Sequence, residues 1–86
     1  MINPNDNPVE WAMLGYELDD VREHITSLLA GLDAKTGIDE GDFRIQIFHV
    51  MTHLNRIYNS RNHIGKIDDD LFSEFSKFPS DFSAIG

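Results

Sequence analysis

The chain has 86 residues, no cysteine and a formal net charge of −8, with 15 acidic residues against 7 Lys and Arg. These values exclude a disulfide framework and thiolate chemistry and argue against non-specific binding to nucleic acid or anionic membranes. A domain this small buries only about 60–65% of the surface its unfolded chain exposes, so long helices within it are short of mass to cover them.

Residues 1–8 carry neither the basic segment nor the apolar run of a signal peptide. No apolar stretch approaches the roughly 18 residues that span a bilayer. The expectation is a cytoplasmic protein without a membrane or nucleic-acid partner and without a cofactor.

Helix 1 is predicted over about 8–35. Asn7 is a capping residue, Pro8 suits the first helical position, and Glu10 follows the cap by three residues. Trp11, Leu14, Leu18, Val21, Ile25, Leu28 and Leu32 then recur in steps of three and four, a coiled-coil-like seam. Leu29 widens it. Gly37 is the expected stop, with Gly31 an earlier alternative.

Helix 2 is predicted over about 40–63. Ile38 precedes the cap Asp39, and Phe43 sits where a hydrophobic staple places it. Glu40 and Asp42 complement the positive end of the helix dipole. The seam runs Phe43, Ile47, Val50, Leu54 and Ile57, with Met51 and Tyr58 at one edge, and Gly65 is the expected breaker. A short helix over about 69–78 follows, with Leu71, Phe75 and Phe78 on one face and Pro79 as its stop. Its Ile67, Asp68 and Phe72 repeat the spacing of Ile38, Asp39 and Phe43, which reads as recurring staple chemistry and not as an internal duplication. Residues 1–86 thus read as one all-α domain.

Charge is segregated along these elements. Residues 1–43 hold ten acids, residues 44–67 hold Arg44, Arg56, Arg61 and Lys66 with no acid, and residues 68–86 return five acids. Side-by-side packing would let these segments complement one another. The short connection between the long helices implies an antiparallel hairpin. One hairpin and a short third helix cannot bury both seams along their length, so a four-helix-bundle-like homodimer is expected. A monomer whose Phe-rich C-terminal segment covers the hairpin is the rival.

Three groups of residues are candidates for function. His49 and His53 are spaced i, i+4, which puts two imidazoles on one helix face as helical zinc sites require. No glutamate lies between them to act as a base, the helical wheel turns both away from the seam, and a third ligand must come from His24, Glu17 or Asp20. On helix 1, Glu17, Asp20 and Glu23 read as an exposed acidic face, since a carboxylate metal site would need acids on a facing helix and helix 2 has none after Asp42. The third group is Arg44, Phe48, Asn55, Arg56, Asn59 and Asn62, a polar flank of helix 2. Asparagine is a mediocre helix former, and amides with guanidinium groups suit recognition of carbonyls and carboxylates. Ile45, Phe48, Tyr16 and Met13 fall outside the seams, where the phenylalanines at 72, 75, 78 and 82 are expected to cover them.

No nucleophile elbow or phosphate-cradling glycine loop is present. The leading expectation is a non-enzymatic protein-interaction or regulatory module that dimerises and presents the flank of helix 2. The alternatives are a metal-dependent hydrolase using His49 and His53 with a helix 1 carboxylate, and an acidic, immunity-type binder of a basic protein.

Overall fold

Capping chemistry sets two of the three helix starts in the computed structural model, which describes residues 1–85. The helices are α1 (Pro8–Asp33), α2 (Glu40–Asn59) and α3 (Asp69–Phe75), and no strand occurs among the described residues. The Asp39 carboxylate accepts the Asp42 N–H at 3.1 Å to open α2, and Asp68 accepts the Leu71 N–H at 2.8 Å to open α3. The repeated Ile-Asp spacing is therefore a repeated N-cap.

The start of α1 departs from expectation. Asn7 makes no side-chain cap; its Oδ1 instead accepts the Asn3 N–H at 3.3 Å. Asn3 in turn gathers the N–H groups of Asn5 and Asp6 at 3.0 and 2.8 Å. This polar turn uses the groups that a capping box would have used, and Glu10 is released to accept the Gly65 N–H at 3.0 Å.

Helix ends are shorter than periodicity predicts, each for a local reason. α1 runs through Gly31, where Ile38 packs so closely that an added Cβ would lie 3.3 Å from Ile38 Cδ1. Gly37, at φ 70°, then turns the chain. α2 stops at Asn59, not near residue 63, because residues 60–62 form a turn held by the His63 N–H on the Ser60 carbonyl at 2.9 Å. α3 stops at Phe75, not near residue 78, where α2 side chains take its last carbonyls.

α1 and α2 lie antiparallel, as the opposed pairs Glu17 with His53 and Gly31 with Ile38 establish. α3 packs on α2 and makes no contact set with α1. The hairpin buries a single line of side chains: Val21 and Leu28 from α1, Val50 and His53 from α2, with Ile2 from the N-terminal segment at one end. The Ile2 N–H bonds the Arg61 carbonyl at 2.8 Å, so the N-terminus closes the turn after α2. Among the described residues no side chain is fully enclosed.

The chain exposes 6645 Å², whereas a compact monomer of 9.8 kDa is expected to expose about 5,200 Å². Its radius of gyration is 15.1 Å, against about 12 Å for a compact domain of this length. The shape is elongated, 48 × 31 × 25 Å. No helix among the described residues is long and apolar enough to cross a membrane.

The bond from Gly65 and a second from its own backbone hold the Glu10 carboxyl below the ordinary glutamate range. The tie is thus complete above a pH of about 4.3 and is lost as pH falls through the lowered folded value. In an NMR titration the Gly65 amide proton should shift with a midpoint below the ordinary glutamate value, and Glu10→Gln should abolish that titration.

Candidate functional site

One edge of the hairpin collects most of the chemistry. His49 and His53 lie one turn apart on α2 with their rings stacked, centroids 4.8 Å apart and planes within 6°. His24 reaches them from α1, its ring 4.1 Å from that of His49 and 5.2 Å from that of His53. One ring nitrogen from each of the three lies within 4.8 Å of the other two. The sequence places His49 and His53 together by spacing alone. The arrival of His24, one of three candidate third ligands, is a consequence of hairpin register.

Burial differs across the cluster. His49 is exposed and His24 half-buried, but His53 is buried, which corrects the helical-wheel expectation that both α2 histidines face away from the core. The seam of α2 is rotated toward His53 because α1 meets α2 along Val21 and Val50, leaving Leu54 half exposed. Desolvation, followed by the nearby His24, His53 and Arg56, holds His49 below its ordinary pKa, and Asp20 opposes the shift.

Beneath the cluster lies a charged node. Glu17 Oε1 is 2.7 Å from His53 Nδ1, and the Nε and Nη2 of Arg56 each lie 2.8 Å from the same oxygen. Arg56 also donates to Ser76 Oγ at 3.2 Å and sits 4.6 Å over the Phe72 ring. Glu17 therefore belongs to the helix interface and not to an exposed acidic face. Asp20 and Glu23 do remain exposed. Among the described residues, charge complementarity between α1 and α2 is concentrated at this one carboxylate.

The tautomer of His53 follows from its neighbours. Both Glu17 Oε1, at 2.7 Å, and Arg56 Nη2, at 3.1 Å, approach Nδ1. The carboxylate is the closer and has no hydrogen of its own, while the guanidinium already donates to that carboxylate, so hydrogen on Nδ1 is the better-satisfied arrangement. With Nδ1 protonated, Nε2 presents a lone pair. It is buried and has no hydrogen-bond partner.

The polar flank of α2 divides into two uses. Asn55 Nδ2 donates to the Ser76 carbonyl at 3.0 Å, and Asn59 Nδ2 donates to the carbonyls of Phe75 and Lys77 at 2.9 and 2.8 Å. These carbonyls lie at and just beyond the end of α3, where helical partners run out, so Asn55, Arg56 and Asn59 fasten α3 to α2. Arg44 and Phe48 lie apart on the exposed back of α2, the guanidinium 5.3 Å from the ring centre, and Asn62 is exposed in the turn beyond. The phenylalanines of the C-terminal segment do not cover Tyr16, Ile45 or Phe48, which stay 71%, 67% and 51% exposed. Phe72 and Phe75 instead line a groove with Met13, Leu14 and Ile57, while Phe78 and Phe82 pack edge to face.

Comparison with protein-family models, with curated proteins and with solved structures gave no match.

Sequence reasoning missed the Glu17–His53–Arg56 node and the anchoring role of Asn55 and Asn59. Hairpin register carries the signal for the first: a turn near residues 34–38 sets Glu17 opposite His53. For the second, asparagines at i and i+4 beside a following short helix are suited to taking its C-terminal carbonyls. Asn59→Ala removes two such bonds, each with a net value of about 1 kcal/mol. It should lower unfolding stability by about 1–2 kcal/mol in chemical denaturation and release α3 first, read by faster amide exchange at Phe75 and Ser76.

Proposed function

We propose that the chain is a non-enzymatic protein-interaction module that assembles as a symmetric homodimer, two hairpins forming a four-helix bundle. The observation that carries this reading is the surplus of about 1,400 Å² of surface over a compact monomer. A standard interface buries about 800 Å² per partner and obligate homodimers bury more.

The position of the uncovered apolar groups supports the same assembly. Leu18, Ile25, Leu29 and Leu32 on α1 are 43–55% exposed, and Phe43, Met51 and Leu54 on α2 are 38–44% exposed. In the helical register Leu18 follows Glu17, Ile25 follows His24 and Leu54 follows His53, each by one residue. One residue is a rotation of about 100°, which carries these side chains across the buried line to the opposite edge of the hairpin. A second copy seated on that edge leaves the histidine edge free. Two-fold symmetry lets one patch serve both partners.

In this reading Arg44, Phe48 and Asn62 are the part of the α2 flank free to meet another protein, and the cytoplasm suits a cysteine-free chain. Asp20 and Glu23 supply the acidic surface that a basic partner of an immunity-type binder would contact. Hydrolysis is less supported than binding. The helix 1 carboxylate nearest the histidines, Glu17, is already held by His53 and Arg56, which suits it to orienting a ring and not to taking a proton from water.

Sedimentation velocity across a concentration series should give twice the 9.8 kDa chain mass. Leu18→Glu and Leu54→Glu should each shift the species to monomer with helicity retained, because neither side chain is in the buried line. Phe48→Ala should leave the dimer intact. A wild-type chain that stays monomeric at millimolar concentration would overturn the assembly.

A further inference from the structure

We propose that His24, His49 and His53 form a three-imidazole site for a divalent transition-metal ion of the zinc class, with His53 ligating through Nε2 and Glu17 holding its ring from behind. The inference goes beyond the interaction module and does not depend on dimerisation.

Spacing and packing first bring together the donors. Two come from one helix face at i, i+4 and the third from the antiparallel helix, which encloses an ion from two sides. Imidazole nitrogens bind zinc at about 2.0–2.1 Å, so neighbouring donors in a tetrahedral site are about 3.3 Å apart. The widest separation here is 4.8 Å, and closing it needs a movement of roughly 1.5 Å shared among the rings. His49 is exposed and has the freedom to supply most of it by side-chain rotation.

The second observation is independent of that clustering. His53 is 6% exposed and its Nε2 is buried without a hydrogen-bond partner. A buried polar atom left unpaired keeps the desolvation penalty with no bond to offset it. A metal ion satisfies that atom.

The third is the carboxylate behind the ring. Ligating histidines usually donate their other N–H to a carboxylate, which fixes the tautomer and raises the basicity of the ligating nitrogen. Glu17 Oε1, 2.7 Å from His53 Nδ1, stands in that position. Arg56 opposes a cation by its own charge but is neutralised locally by the same Glu17, and Asp20 lies close enough to act on His49. Three neutral imidazoles suit zinc, copper, nickel or cobalt better than magnesium or calcium, which prefer oxygen donors. Three protein ligands leave one position of a tetrahedral ion open on the exposed side of His49.

The test is titration of the full chain with Co²⁺ followed by its visible absorption, with Zn²⁺ competition and calorimetry of Zn²⁺ alone. The expected result is one saturable ion per chain, displaced by Zn²⁺, with a higher thermal midpoint in the metal-bound form. His24→Gln and His49→Gln, neither in the buried line, should each weaken binding at least about 100-fold. Glu17→Gln should weaken it about 10–100-fold, the range for an outer partner. His63→Gln, in the turn beyond α2 and packed on Phe75, should change nothing. Nitrogen-15 NMR of the zinc-bound chain should report His53 coordinated through Nε2. Absence of saturable binding, affinity insensitive to both His24→Gln and His49→Gln, or equal loss with His63→Gln would each overturn the site.

Discussion

Two helices packed side by side share one line of contact, and every other feature of this protein is arranged around the shortage that this creates. A helix in a larger domain meets neighbours on two or three sides. Here α2 is the one helix packed against α1, and α3 packs on α2. Val21, Leu28 and Val50 fill the line. The next side chains to either side are half exposed, and their chemistry divides the hairpin into two edges.

On one edge the helices are joined by polar groups. Glu17 bridges to Arg56 and His53, and Arg56 passes the connection on to Ser76 and Phe72 of the C-terminal segment. A half-buried carboxylate bound by a guanidinium and an imidazole is held in a fixed place, and it fixes the His53 ring in turn. The consequence is an imidazole nitrogen turned inward beside two further histidines. On the other edge the helices offer leucine, isoleucine, phenylalanine and methionine that stay 38–55% exposed, with Phe78 and Phe82 of the C-terminal segment lining a groove beside Met51 and Leu54. The first edge is polar and rich in imidazole, and the second is largely apolar.

The C-terminal segment stabilises the hairpin without enlarging its core. Seven-residue α3 is too short to stand alone, and it is anchored by amides reading its terminal carbonyls more than by buried area. The Asn-rich run of α2 thereby acquires a structural purpose. Its poor helix propensity is offset by the bonds these amides donate to the end of α3. Arg44, Phe48 and Asn62 take no part in this anchoring.

Sequence periodicity and cap chemistry by themselves determined the all-α class, the existence and order of the three helices, the caps at Asp39 and Asp68 and the antiparallel hairpin. These are local properties, set by spacing within a few residues and by a short connection. The His49–His53 pair was legible for the same reason. Only the tertiary structure decided that His53 faces inward, that His24 completes the cluster and that Glu17 is a bridge. Those outcomes depend on the rotation and register of one helix against the other, to which a seam widened by Leu29, Met51 and Tyr58 gives several similar solutions. Helix ends were likewise decided by contacts distant in sequence. Asn55 and Asn59 terminate α3, and Asn3 displaces the expected cap of α1, because an unsatisfied backbone group bonds to whichever partner the fold brings within reach.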